Sequence, residues 1–162
     1  MTLAITLKVV LLSLAANGTP ILGKRLLGTR LAVPLDGGRM FFDGRPILGR
    51  SKTLRGLLLS IAACALTGSV LGYPWSLGAA FGAASMAGDA LSSFVKRRLD
   101  IPPSGRFMGL DQIPEILLPL WLCRDALALD WPSIVVLTVL LAAGSLLLSP
   151  LMYRIGLRDR PY

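Results

Sequence analysis

The chain has 162 residues, of which 54% are hydrophobic and 16% charged, whereas soluble domains carry about a quarter charged residues. This composition excludes an ordinary soluble domain and indicates an integral membrane protein. A formal charge of +8 would suggest a nucleic-acid ligand in a soluble protein, but here the placement of the cations matters more, and no nucleic-acid partner is expected. Histidine is absent, which excludes the commonest general base and transition-metal ligand.

The apolar residues fall into segments of about 20 residues, the length that an α-helix needs to cross a bilayer. We therefore predict an all-α integral membrane protein with one domain, residues 1–162, built as a bundle of about five transmembrane helices. The predicted spans are about 3–22, 55–73, 75–95, 112–130 and 132–153. Two polar loops, 23–54 and 96–111, lie between them.

With five spans, both polar loops and the C-terminus lie on one side of the membrane. That side holds 15 of the 17 cations: Lys24, Arg25, Arg30, Arg39, Arg45, Arg50, Lys52, Arg55, Lys96, Arg97, Arg98, Arg106, Arg154, Arg158 and Arg160. Cytoplasmic loops are enriched in Lys and Arg, so we expect a multi-pass protein of the plasma (cytoplasmic or inner) membrane with its N-terminus outside. Lys8 is expected at the outer interface, and no cation precedes the first apolar run as a signal peptide requires.

The third predicted span ends in the stretch GDALSSFVKRR, residues 88–98. At helical spacing one face of this span carries Gly78, Gly82, Ser85, Asp89, Ser92, Ser93, Lys96 and Arg97. The G-x-x-x-G pair permits close helix packing, so we expect this face to point into the bundle. An ionised Asp89 inside the membrane costs about 2.5–3.5 kcal/mol and therefore needs a partner. The alternatives are a salt bridge to Lys96 or Arg97, and a metal or phosphate site, which the excess of cations favours.

Asp111 opens the fourth predicted span and has two interpretations. As a helix N-cap it is compatible with Pro114 in the first helical turn. Alternatively, Asp111 and Glu115 direct a second carboxylate group toward the end of the third span. Two acids from different helix ends could then hold Mg²⁺ together with substrate phosphates.

The first polar loop is rich in glycine and basic residues. Asp36 and Asp43 are each followed by glycine, so both are compatible with ordinary turns. Residues 44–51, GRPILGRS, nearly match a P-loop, but arginine replaces its lysine and the required strand and helix are not apparent, so we reject that interpretation. We expect a mobile loop that wraps a polyphosphate with its backbone N–H groups.

Four motifs, in this order, resemble the CDP-archaeol synthase family: NGTP, PLD with DGRPILGRSKTLRG, GDALSSFVKRRLDIPPSGR and LDQIPE. The resemblance covers nearly the whole chain. It implies a five-helix membrane enzyme that uses magnesium to transfer CMP from CTP to a lipid phosphate, with release of pyrophosphate. It also implies a distant relation to phosphatidate cytidylyltransferases, whose S-x-x-K-R element matches Ser93, Lys96 and Arg97, although the remainder of their signature is missing.

The resemblance also implies roles for individual residues. Asp89 and Asp111 would be the Mg²⁺ ligands, and Lys96 and Arg97 would complete the catalytic set by holding phosphates. The implied substrate-binding residues are Asn17, Asp36, Asp43, Lys52, Thr53, Arg55, Ser93 and Arg98, with Pro20 beside them.

The predicted function is therefore that of a CTP:lipid-phosphate cytidylyltransferase with its active site on the cytoplasmic face and an unsaturated, archaeol-type ether lipid phosphate as acceptor. Its partners would be CTP, the lipid phosphate and the bilayer. One alternative is a CDP-alcohol phosphotransferase, although DGRPILGR does not continue as the D-G-x-x-A-R core of those enzymes does. The other alternative is a small transporter or an assembly subunit in which Asp89 relays protons or fixes packing.

Overall fold

The computed structural model describes residues 2–102, 105, 107–154 and 156. This part of the chain contains five α-helices and no strand: α1 Leu3–Leu27, α2 Leu54–Val70, α3 Trp75–Arg98, α4 Ile113–Leu122 and α5 Trp131–Arg154. The prediction of an all-α protein is confirmed. The predicted cytoplasmic cations Arg106, Arg158 and Arg160 lie outside the described residues, as do Pro103 and Ser104 of the third motif.

Two helices in the described part are long and apolar enough to cross a membrane by themselves, over Leu3–Leu27 and Trp131–Leu151. α2 and α4 are also apolar but shorter. Many outward-facing side chains are large and apolar, and Leu66, Val70 and Leu147 are each more than two-thirds exposed. Surfaces of this kind suit contact with lipid. The number of membrane crossings, five, stays a prediction.

The predicted helix 112–130 is wrong in length. α4 has 10 residues, about 15 Å, which is half of the ~30 Å hydrocarbon layer. Beyond its last residue the chain turns: Ala128 has a φ of 53°, and the Leu129 N–H donates to the Arg124 carbonyl oxygen over 2.8 Å. The segment after α4 is nevertheless apolar, because Leu127 and Leu129 are buried in the core. A prediction from hydropathy therefore placed the end of this helix too far along the chain.

α3 is the central helix and packs against α1, α2 and α4. Its G-x-x-x-G pair lies against the α2 backbone, which agrees with the predicted close helix packing. A Cβ atom on Gly78 would lie 2.1 Å from the Cys64 carbonyl oxygen, and one on Gly82 would lie 2.8 Å from the Ser60 carbonyl oxygen. Glycine is therefore required at both positions for the two helices to approach this closely.

The apolar core lies toward the end of the bundle opposite the cation-rich loops. Its fully buried members include Val9, Leu12, Ala16, Cys64, Phe81, Leu120, Ile134 and Leu137. Lys8 lies at the same end, where its Nζ atom is 4.6 Å from the centroid of the Tyr73 ring in the short connection between α2 and α3. The cation-rich end is consequently formed by the ends of α1 and α3, the beginnings of α2 and α4, and the two loops.

A glycine next to Asp89 sets the distance between α3 and α4. A Cβ atom on Gly88 would lie 2.1 Å from the Pro114 carbonyl oxygen, so Gly88→Ala must separate the two helices. We expect a loss of about 1–3 kcal/mol of stability, seen as a lower midpoint of thermal unfolding in detergent. Gly144→Ala in α5, where nothing lies within 4 Å, is the matched control and should be neutral or stabilising. Equal midpoints for the two variants would contradict the close α3–α4 contact.

Candidate active site

The first loop, residues 28–53, is folded upon itself by backbone hydrogen bonds. Isolated antiparallel bridges join Pro34 to Thr53 and Met40 to Pro46. The Leu35 N–H donates to the Lys52 carbonyl oxygen over 2.8 Å, which brings the two ends of the loop together. The turns of the loop close on each other, and its predicted mobility and its wrapping of a polyphosphate stay predictions.

Asp36 holds the centre of this loop through both carboxylate oxygens. Oδ1 accepts the N–H of Gly38 over 2.9 Å, and Oδ2 accepts the N–H groups of Leu48 and Gly49, each over 2.8 Å. Burial raises the pKa of the Asp36 carboxyl, but the backbone donors Gly49, Leu48 and Gly38 together outweigh it and the net pKa lies below its ordinary value of 3.8. This geometry matches the interpretation of Asp36 as a turn residue.

Two arginines exchange hydrogen bonds between the first loop and the end of α3. Arg45 Nη1 donates to the carbonyl oxygen of Arg98 over 2.6 Å, and Arg98 Nη2 donates to that of Pro46 over 2.7 Å. Arg45 thereby satisfies a carbonyl at the C-terminus of α3, where cations are favoured. These two hydrogen bonds fix the loop to α3.

Arg98 is also held by side chains of the loop. Its Nε atom lies 3.1 Å from Oδ2 of Asp43, and its guanidinium carbon lies 4.6 Å and 4.9 Å from the ring centroids of Phe41 and Phe94. Asp43 in addition accepts the N–H of Arg45 over 3.1 Å, which is the turn geometry that its following glycine suggested. Arg98 and Asp43, both predicted to bind substrate, thus have structural contacts with each other.

A cavity of about 430 Å³ lies between this loop, α1, α2 and α3. Its wall carries four cations and one acid: Lys24, Arg50, Lys52, Arg55 and Asp89. Apolar residues form the other part of the wall: Pro20, Ala32, Leu35, Leu57 and Met86. The predicted residues Lys52, Thr53, Arg55 and Asp89 are therefore brought together around one space.

Asp89 forms an ion pair with Lys52, whose Nζ atom is 2.5 Å from Oδ2 of the carboxylate. The alternative of a salt bridge within α3, from Asp89 to Lys96 or Arg97, is wrong. Lys96 instead pairs with the carboxylate of Asp111, and its Nζ atom donates to the Gly105 carbonyl oxygen over 3.2 Å. The cation-rich end of α3 consequently carries two separate carboxylate–lysine pairs.

Asp111 is not the N-cap of α4, because that helix begins at Ile113 and its N-cap is Gln112. The Asp111 carboxylate accepts the N–H of Phe107 over 2.8 Å, within the second loop. This turn brings the carboxylate back toward Lys96 on α3. The interpretation as a second acid near the end of α3 agrees with this position.

The remaining predicted residues lie within the packing around these pairs. Arg97 is 3% exposed, and its Nη2 atom donates to the Pro102 carbonyl oxygen over 2.9 Å. Thr53 is the N-cap of α2, with its hydroxyl accepting the Gly56 N–H over 3.2 Å. Asn17 accepts a hydrogen bond from Ser85 over 3.3 Å, between α1 and α3, and Ser93 is buried.

Asp89 and Asp111 are the two carboxylates predicted as metal ligands, and each is paired with a lysine. Their side chains are 26% and 23% exposed. Mg²⁺ commonly binds one or two carboxylates and completes its octahedron with waters and substrate phosphates. In the described residues no group of three or more His, Cys, Asp or Glu side chains could hold a metal ion. These two carboxylates would therefore fit Mg²⁺ only together with phosphate and water ligands.

The positions of Arg45 and Arg50 in the fold were not apparent from the sequence. Arg45 anchors the loop on α3, and Arg50 lines the cavity, yet both were counted only as cytoplasmic cations. The Asp–Gly turn directly before Arg45 is a local signal for a chain reversal. Nothing in the local pattern indicates that the reversed chain meets α3, because the two segments lie about fifty residues apart.

The family model for CarS-like CDP-archaeol synthase matches residues 75–162, the part of the chain that carries Asp89, Lys96 and Asp111. A CDP-archaeol synthase of Pyrobaculum calidifontis is 31% identical over 156 residues, which cover 91% of this chain and 90% of the relative. The chain belongs to the CDP-archaeol synthase family. Another CDP-archaeol synthase, of Methanopyrus kandleri, is 42% identical over 86 residues, 49% of this chain and 50% of that protein.

A solved structure described as an intramembrane enzyme for archaeal membrane lipids biosynthesis has the same fold. It is 34% identical, covers 88% of both chains and superposes with a TM-score of 0.70. Members of the CDP-archaeol synthase family are cytidylyltransferases, so the protein is an enzyme of the nucleotidyltransferase class and a membrane protein. This assignment replaces the alternatives of a transporter, an assembly subunit and a CDP-alcohol phosphotransferase.

Asp36→Asn tests the role of the carboxylate in the first loop. Because charge-assisted hydrogen bonds are about twice as strong as neutral ones, we expect amide hydrogen exchange at Leu48 and Gly49 to accelerate by about tenfold or more. The pKa of Asp36 is lowered in the fold, so its contribution is present above the ordinary value of 3.8 and is lost as the pH falls through the lowered pKa. Asp125→Asn, on an exposed side chain at the other end, should leave both amides unchanged.

Proposed function

We propose that this protein transfers CMP from CTP to the phosphate of an archaeol-type, unsaturated ether lipid, giving a CDP-lipid and pyrophosphate. The observation that carries the proposal is the pair of separate contacts Lys52–Asp89 and Lys96–Asp111 at one end of α3. Lys52 and Asp89 line the cavity with the partly apolar wall, and Lys96 and Asp111 lie further along α3, so the two pairs offer carboxylates suited to Mg²⁺ and cations suited to phosphate. The names of the relatives, CDP-archaeol synthase, support the same substrates.

The reaction needs no side-chain base. A phosphomonoester has a second pKa of about 6, so the lipid phosphate is mostly dianionic at neutral pH. One of its oxygens can form the bond to the α-phosphorus of CTP while the bond from that phosphorus to the β-phosphate oxygen breaks, and pyrophosphate leaves with the electron pair. Catalysis of this kind consists mainly of positioning and of stabilising charge, which suits a chain without histidine.

The residues of the two ion pairs then have distinct tasks. Asp89 and Asp111 would hold Mg²⁺, whose chemistry when bound is to neutralise the charge of the nucleotide phosphates. Lys52 and Lys96 pair with these carboxylates, and each ammonium would turn to a phosphate oxygen once its carboxylate has another counter-ion. Arg97 holds the described part of the second loop in place through the Pro102 carbonyl oxygen.

The cation-rich end of the bundle faces the cytoplasm in this proposal, with the N-terminus outside. The positive-inside rule supports that orientation, because of the 17 cations only Lys8 and Arg124 fall outside the predicted cytoplasmic segments. CTP then reaches the site from the cytoplasm, and the lipid enters from the bilayer between helices.

The activity itself is tested with purified protein in detergent, CTP and Mg²⁺, by the release of pyrophosphate. We expect turnover that requires both CTP and a lipid phosphate, is abolished by EDTA and restored by excess Mg²⁺, and is faster with ether-linked isoprenoid tails than with diacyl tails. Folded protein that releases no pyrophosphate with any lipid phosphate would overturn the proposal. Equal rates with both kinds of tail would overturn only the choice of lipid.

Asp89→Asn and Asp111→Asn test the proposed metal ligands. Each substitution keeps the size of the side chain but removes its charge, so we expect turnover to fall by about 10²–10³-fold, a loss typical of removing transition-state charge stabilisation. Binding of Mn²⁺, followed by electron paramagnetic resonance in the presence of CTP, should weaken in parallel. Asp125→Asn, which changes the net charge equally, should retain both activity and Mn²⁺ binding. Normal turnover in Asp89→Asn would remove that residue from the proposed site.

A further inference from the structure

Residues 39–47 of the first loop form a short hairpin closed by backbone hydrogen bonds. At its tip the Phe41 N–H donates to the Arg45 carbonyl oxygen over 2.7 Å, and the Gly44 N–H donates to the Phe41 carbonyl oxygen over 3.0 Å. Gly44 has a φ of 73°, a conformation that glycine adopts readily. These contacts hold the tip in a defined conformation, so the directions of its side chains have a structural meaning.

The hairpin packs on the side of α3. The ring centroid of Phe41 lies 5.3 Å from that of Phe94, in an edge-to-face arrangement, and the Arg98 guanidinium lies near both rings. Phe94 precedes Arg98 by one helical turn. The tip therefore lies beside the last turns of α3 and does not extend beyond the end of that helix.

Two other side chains of the hairpin are apolar and uncovered. Phe42 is fully exposed apart from an edge contact with the ring of Phe41, and Met40 is 63% exposed. Single exposed apolar residues are common at the surface of soluble proteins. What surrounds this pair in the fold therefore decides how its exposure is interpreted.

An exposed face of α3 leads directly to the tip. Ala87 and Leu91 are exposed on the side of the helix opposite Asp89, and Phe94 and Arg98 continue the same side at helical spacing. The glycine face of α3, by contrast, is covered by neighbouring helices. In an intramembrane enzyme an uncovered apolar helix face contacts lipid. The hairpin tip thus continues a lipid-facing surface.

The length of α3 places the tip at the boundary of the hydrocarbon layer. The helix has 24 residues, about 36 Å, and begins at the exposed Trp75, a residue type that favours the membrane interface. A layer of ~30 Å spans about 20 helical residues and ends near Phe94 when it starts at Trp75. Phe42 lies at that level, where the exposed Arg39 at the base of the hairpin can reach lipid phosphates.

We infer that Met40 and Phe42 insert into the interfacial layer of the bilayer at the cation-rich end, with Arg39 among the lipid phosphates. The first loop, predicted as a polar loop in the cytoplasm, then has a bilayer contact of its own. α3 holds one side of the hairpin and lipid covers the other. The contact lies outside the cavity and does not depend on the proposed function.

Phe42→Cys tests the contact in vesicles of phosphatidylcholine and phosphatidylglycerol. The wild-type side chain is fully exposed, so the fold should not change, and the native Cys64 and Cys123 are buried, so a thiol-reactive nitrobenzoxadiazole fluorophore labels the new position selectively. We expect a blue-shifted emission and strong quenching by lipids that carry a nitroxide near the headgroup, with little quenching by aqueous iodide. The matched control is Asp125→Cys, 93% exposed in the charged turn after α4, where iodide should be the stronger quencher.

Quenching of the label at position 42 by iodide to the same extent as at position 125 would overturn the inference. A label that is shielded from iodide and also untouched by the nitroxide lipids would overturn it as well, because a protein surface, such as a second copy of the chain, would then cover the tip. Turnover is not measured in this experiment, so the proposed function stands or falls separately.

Discussion

The site depends on the close approach of the α2 and α4 backbones to α3, which the glycines of α3 permit. Gly78 and Gly82 bring α2 against one side of the helix, and Gly88 brings the beginning of α4 against another. Asp89 follows directly after the last of these contacts. Its carboxylate therefore lies where the beginning of α2, with Lys52 just before it, can reach it, and Asp111 returns to Lys96 two turns later. A wider helix spacing would leave both carboxylates without these lysines and would open the cavity wall.

Charge compensation helps to hold the described parts of both loops against the end of α3. The end of α3 concentrates Lys96, Arg97 and Arg98, and burying them requires acceptors. Asp111 supplies one and Asp43 another, but most acceptors are backbone carbonyl oxygens of the loops themselves. The described parts of the loops thus supply the polar partners that these cations require in a poorly hydrated region.

Helical periodicity was sufficient to predict the inward face of α3, since glycine, serine and charged residues at every third or fourth position leave one possible buried side. It could not predict the partners. Asp89 pairs with Lys52, 37 residues away, and Asp36 holds amides 12 and 13 residues further along the chain. Such contacts depend on how a loop closes, which local spacing does not encode. In α4 the local pattern itself predicted too long a helix. Apolar residues continue beyond Leu122, whereas the helix ends there and the backbone turns at Ala128. The resemblance supplied the candidate site residues, and their roles stay predictions.

Four arginines of the site, Arg45, Arg55, Arg97 and Arg98, donate to backbone carbonyl oxygens. A carbonyl is present whatever side chain the residue carries. Substitutions at the acceptor positions, such as Arg30 and Pro46, therefore preserve the contact as long as the backbone path is kept, whereas replacement of an arginine removes it. Tolerance to mutation is consequently asymmetric across each of these contacts: the loop sequences can drift, and the identity of the site resides in a few guanidinium groups and in the shape of the main chain around them.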